Sequence, residues 1–91
     1  MERLYTKNGV PLRVRGDRVF GPTGRQVGRV YGEKVFAPSG RYVGTVVNDR
    51  LVYRSTDSAA GRGAYAPSTA TPSAAAPHVP SAVWGEEPRF G

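Results

Sequence analysis

Cysteine is absent from the 91-residue chain, and histidine, methionine and tryptophan occur once each. Without cysteine there are no disulfides and no thiolate metal sites. His78 alone cannot build a metal site, nor can it stand in for the paired groups of Ser-His or Cys-His catalysis. Long apolar runs are also missing. A membrane-spanning helix needs about 20 consecutive apolar residues, and no stretch approaches that. The first residues, MERLYTKNG, lack the apolar heart of a signal peptide, so a cytoplasmic location is expected. Acidic residues are few: 7 Asp and Glu against 13 Lys and Arg, a formal net charge of +6. These absences make an enzyme, a cofactor or a bound metal unexpected.

The most informative feature present is a tandem repeat. DRVFGPTGRQVGRVYG (17–32) is followed at once by EKVFAPSGRYVGTVVN (33–48), and 8 of the 16 positions are identical. The pattern reaches back into residues 3–16, one residue shorter and with Val10-Pro11 where later copies carry Arg25 or Arg41. It runs forward into Asp49–Val52 and then drifts, Ser55-Thr56 replacing the Ser-Gly turn. Three good copies and one degenerate copy result. Repeats of this kind dictate architecture, because one short unit cannot bury its own apolar face.

Each copy reads as a β-hairpin. A short apolar run such as Val19-Phe20 is broken by Pro22-Thr23-Gly24. Proline presets φ early in a turn and glycine accepts positive φ. The return run, Gln26–Tyr31, is rich in β-branched and aromatic residues, as strands are. Pro22, Pro38, Gly9, Gly24 and Gly40 are therefore read as turn formers. Gly28 and Gly44 fall mid-strand at matching positions, where glycine marks a bulge, a bend or a close approach. The expected fold is all-β: four tandem hairpin repeats of about 16 residues closing into a shallow pseudo-fourfold flower or barrel. Val, Leu, Phe and Tyr of each copy would point to a shared centre.

Three segments resemble a known family: LYTKNG, VFGPTGRQVGRV with VFAPSGRYVGTV, and DRLVYRSTDSA. They are similar to the repeats of bacterial 4-fold β-flower proteins, and the likeness covers residues 2–60. MORN and WG arrays carry comparable units without a bounded count of four. The resemblance implies a flower of β-hairpins. It implies no activity, substrate or catalytic residue.

Composition divides the chain into residues 1–60, the repeat domain; 61–83, an Ala/Pro/Ser-rich linker; and 84–91, a terminal aromatic-acidic segment. The linker holds too little apolar surface to offset its ordering entropy, so a disordered tail is expected. Trp84, Glu86, Glu87 and Phe90 form a candidate partner-binding segment: aromatics for pockets, carboxylates for a basic surface. That surface belongs to this domain, to a second copy or to another protein.

The basic charge sits in the repeats, with eleven Lys/Arg against four Asp/Glu in residues 1–56. Arg13, Arg15, Arg25, Arg29 and Arg41 are candidate anion contacts, for nucleic-acid phosphate or a lipid headgroup. Arg25 and Arg41 at the hairpin tips could instead be solvated or stacked on Tyr31 or Tyr42. Asp17, Glu33 and Asp49 recur between copies, as turn residues or as a cation-binding ring. Arg54–Ser58 reads as a cap on the last turn or as a polar patch. The leading expectation is a non-enzymatic protein-interaction module with a flexible tail, its partner another protein or itself. Binding to nucleic acid or a membrane surface ranks second.

Overall fold

A computed structural model of the chain describes residues 3–57, 61–69 and 76–90. Seven strands close into a barrel: β1 Arg3–Thr6, β2 Pro11–Arg15, β3 Arg18–Phe20, β4 Gln26–Tyr31, β5 Lys34–Phe36, β6 Tyr42–Val47 and β7 Arg50–Val52. A 3-10 turn, Ser55–Asp57, follows β7 and is the only helical element among the described residues. No helix among them is long and apolar enough to cross a membrane.

Neighbouring strands pair antiparallel from β1 to β7, and β1 then pairs parallel to β7 through Tyr5–Arg50 and Thr6–Leu51. Parity requires this. In an up-and-down ring of seven strands the first and last run the same way, so the closing pair must be parallel. The fourth copy causes the odd count. It supplies one strand, β7, where a full hairpin was expected, and β1 takes the place of the missing return strand. With closure no ladder edge is left open.

The links between copies are two-residue hairpin loops. Gly16, Gly32 and Asn48 occupy their first positions with φ of 61°, 62° and 56°. Asp17, Glu33 and Asp49 take the second, and their carbonyls accept bonds from Val30, Val46 and Tyr5 N–H at 2.7, 2.6 and 2.8 Å. Asp17 also sits 3.5 Å from Arg29, and Asp49 3.7 Å from Arg50. Among the described residues no three His, Asp or Glu side chains cluster as a metal site.

Alternation along the strands sorts the side chains. Leu4, Leu12, Val14, Val19, Val35, Val43 and Leu51 form the inner cluster with Ala37. Phe20, Phe36, Tyr42 and Val52 are equally buried but lie outside that cluster. Aromatics therefore do not meet the aliphatics at the shared centre, as the repeat suggested. The interior of this ring of seven short strands is filled chiefly by Val and Leu. Phe20 follows Val19, and Phe36 follows Val35, so each aromatic faces outward and must be covered from outside.

Gly28 and Gly44 perform the expected close approach. Val19 faces Gly28 while Phe20 faces Gln26, leaving Val27 as the extra residue of a bulge. Val35–Gly44 and Phe36–Tyr42 repeat the arrangement around Val43. A Cβ on Gly28 would overlap the Val35 side chain, and one on Gly44 would lie 2.9 Å from Leu51 Cδ1 and 3.0 Å from the Val52 carbonyl oxygen. The bulge turns Val43 inward while the bare glycine lets the next strand's core side chain cross over it.

Candidate binding site at the turn end of the barrel

The hairpin tips gather at one end of the barrel and repeat in atomic detail. Gly9, Gly24 and Gly40 donate N–H to Thr6, Gly21 and Ala37 carbonyls at 2.9, 3.0 and 2.8 Å. Their φ values are 94°, 88° and 89°, a conformation only glycine adopts without strain. Pro22 and Pro38 hold the second turn position, where their fixed φ fits. The last copy does not repeat this bond: Asp57 N–H donates to the Arg54 carbonyl at 2.9 Å, one residue out of register, and the Tyr53 carbonyl accepts from Glu86 instead. Asp57 then accepts the Thr45 hydroxyl at 2.7 Å, Thr45 Oγ1 lies 2.6 Å from the Tyr42 hydroxyl, and Arg54 N–H donates to Tyr42 Oη. This chain ties the last turn to β6 through side chains, whereas the capping reading of Arg54–Ser58 expected Asp57 to bond to backbone; Ser58 lies outside the described residues.

The described tail residues contain no regular helix or strand, yet they bond to these tips. Arg62 N–H donates to Gly40 carbonyl at 2.8 Å, and Gln26 N–H donates to Ser68 carbonyl at 2.9 Å. His78 N–H donates to Gly9 carbonyl at 2.9 Å, and Tyr53 and Glu86 exchange two backbone bonds of 2.7 Å. Taken along the chain, the tail meets the third tip, the second, the first and then the end of β7. A Cβ on Gly9 or Gly40 would overlap the His78 or Arg62 carbonyl oxygen. The glycines thus serve the turn and the docked backbone at once.

Side chains of the tail cover the outward aromatics. Tyr65 donates its hydroxyl to the Phe36 carbonyl at 2.9 Å and lies under the Arg29 guanidinium at 4.4 Å. Burial raises the Tyr65 pKa, opposed by the nearby positive charge of Arg29. Arg62 stacks 4.1 Å from the Tyr31 ring. The stacking expected of Arg25 or Arg41 is made instead by an arginine from the tail. Ser68 N–H donates to Gln26 Oε1, and Gln26 is almost wholly buried. Local sequence pattern does not single out Tyr65, Arg62 or Gln26. The one signal was a lone Tyr and a lone Arg in an Ala/Pro/Ser stretch.

The terminal segment divides by role. Phe90 is half-buried against the inner cluster and Pro88 is buried. Glu87 accepts Asn8 N–H at 2.8 Å. Trp84 remains 57% exposed, capped by Arg54, whose Nε donates to the Trp84 carbonyl at 3.1 Å and whose guanidinium lies 4.9 Å from the ring. Two cavities of about 350 Å³ open at this end. One is lined by Arg41, Tyr42, Tyr53, Glu86, Glu87 and Arg89, so its charges oppose one another. The other is lined by Arg25, Val27, Ala37, Pro38 and Phe90.

The five candidate anion contacts are not brought together. Arg25 and Arg41 are exposed at the turn end. Arg29 is held between Asp17 and Tyr65 with its Nε sealed from solvent. Arg13 and Arg15 are exposed on the outer face of β2. No protein-family model matches the chain, and no curated protein or solved structure matches it either.

Proposed function

We propose that this chain is a non-enzymatic protein-interaction module of the 4-fold β-flower kind, with a turn end that receives an extended peptide. Recurrence of one tip geometry in three copies supports the repeat arrangement. The tail segment with Trp84, Glu86, Glu87 and Phe90 is the peptide, and its partner is a second copy of the chain. The carrying observation is the reciprocal Tyr53–Glu86 backbone pair, beside Phe90 packed on the inner cluster. Bonds between main chains do not depend on which copy supplies the strand, as in other strand-addition contacts. Little apolar surface besides Pro88 and Phe90 anchors this segment, so it exchanges between docked and free states and is disordered when free.

The test labels one batch of full-length protein with a donor dye at the C-terminus and another with an acceptor near β2. Mixing gives energy transfer that grows with concentration, alongside dimers in sedimentation equilibrium. Phe90→Ala with Glu86→Pro abolishes both, since it removes the anchor and one donor of the pair. A chain that stays monomeric and shows no transfer at any concentration refutes the proposal.

A further inference from the structure

The outer face of β1–β3 is built unlike the rest of the barrel. On β4–β7 every strand residue is buried or half-buried, and the outward ones mix aromatic, aliphatic and polar side chains. On β1–β3 four outward residues are exposed, Arg3, Arg13, Arg15 and Arg18, beside buried Phe20 and half-buried Tyr5 and Pro11. Register places these side chains against one another: Arg3 opposite Arg13, and Arg15 opposite Arg18. Like charges directly opposite across a ladder are destabilising. Among the described residues none of the four has an ion pair or a side-chain hydrogen bond, and the nearby carboxylate of Asp17 is turned to Arg29.

Strand geometry gives the dimensions. Arg13 and Arg15 are about 7 Å apart along β2, and partners across the ladder are about 5 Å apart. Each arginine of the four thus stands within roughly one Debye length, about 8 Å, of at least one other at physiological salt. All are arginine, the side chain whose planar fork grips phosphate through two parallel bonds. The face offers no base-stacking platform, because Phe20 is buried and Tyr5 half-buried. Among the described residues it also offers no apolar side chain of the kind that inserts between lipids: the exposed large apolar ones are Val10, Val79 and Trp84, none of them on these strands.

We infer that the outer face of β1–β3 docks the phosphate backbone of a duplex nucleic acid, with Arg3, Arg13, Arg15 and Arg18 as its phosphate ligands. The surface reads charge and spacing, not base sequence. It is separate from the turn end, so it does not depend on the tail. Of the arginines first considered, Arg13 and Arg15 belong to it, whereas Arg25 and Arg41 lie at the other site and Arg29 is already engaged.

Binding of the full-length protein to a short dye-labelled DNA duplex of arbitrary sequence, followed by anisotropy, tests this. Four neutralised phosphates give a slope of log K against log salt of about −3.6, a loss of roughly 100-fold between about 50 and 200 mM. Arg13→Gln with Arg15→Gln, both exposed positions, halves the slope to about −1.8; circular dichroism verifies the fold. Arg41→Gln, at the turn end, leaves the slope in place. Arg3→Gln with Arg18→Gln repeats the measurement should the first pair fail to fold. An unchanged slope in a folded pair variant overturns the inference. So does tighter binding to single-stranded DNA than to duplex, or capture by anionic lipid vesicles at salt where the duplex is released.

Discussion

Gly44→Ala adds one methyl group to a buried position and should destabilise the barrel. The new Cβ lies 2.9 Å from Leu51 Cδ1, 3.1 Å from Leu51 Cγ and 3.0 Å from the Val52 carbonyl oxygen. Leu51 is fully buried, and the Val52 carbonyl is main chain in a closed ladder, so neither neighbour can simply swing aside. Overpacking of this sort costs about 1–3 kcal/mol. Replacing glycine also narrows the unfolded ensemble, which returns about 0.4–1 kcal/mol. Strain prevails, leaving a net loss of about 1–2 kcal/mol. For a domain of this size that lowers Tm by roughly 4–16 °C. Thermal melts followed by circular dichroism read the shift. Gly63→Ala is the control, because nothing lies within 4 Å of its Cβ and its φ is ordinary; it should melt at or slightly above the parent. The reasoning fails if Gly44→Ala melts as high as Gly63→Ala.

Two further substitutions probe the core and its cover. Leu51→Ala, at a fully buried inner position, should lose about 2–5 kcal/mol in urea unfolding with little change in m, whereas Val79→Ala, 68% exposed, should stay within about 0.5 kcal/mol of the parent. Tyr65 has a pKa raised above its ordinary value near 10 by burial. The folded state therefore holds the phenol proton more tightly than the unfolded state does. That contribution is complete below the unfolded pKa and is lost as pH rises through the folded one. Tyr65→Phe should melt lower at neutral pH, because the bond to the Phe36 carbonyl is gone, and should lose less stability than the parent on going above pH about 10. Parallel alkaline limbs in the two proteins would rule out this role for Tyr65.

How far the sequence could be read depended on the range of each interaction. Pro22, Pro38 and the tip glycines announced their turns because Pro and Gly set φ within the residue itself. Gly28 and Gly44 announced a close approach for the same reason. Which face Phe20 and Phe36 would take was not visible. Alternation says that Val19 and Phe20 point opposite ways, but only the radius of a seven-stranded ring decides that valine goes in and phenylalanine out. The arginines behaved likewise: Arg13, Arg25 and Arg29 look alike in the sequence, yet one meets solvent on a strand, one stands exposed at a tip and one is clasped by Asp17 and Tyr65. The cover over the aromatics was missed because main-chain bonds, such as Arg62 to Gly40 and His78 to Gly9, leave almost no trace in side-chain composition.

The repeat by itself determined that this protein is a succession of β-hairpins with glycine-closed tips, because turn chemistry and strand alternation act over only a few residues. Tertiary structure alone decided how the succession ends. A fourth copy with one strand makes the ring odd, and an odd ring closes only where two strands run the same way. The parallel β1–β7 pair, the outward aromatics and the crowded arginines of β1–β3 all depend on contacts between residues far apart in the chain, and no local pattern specifies those.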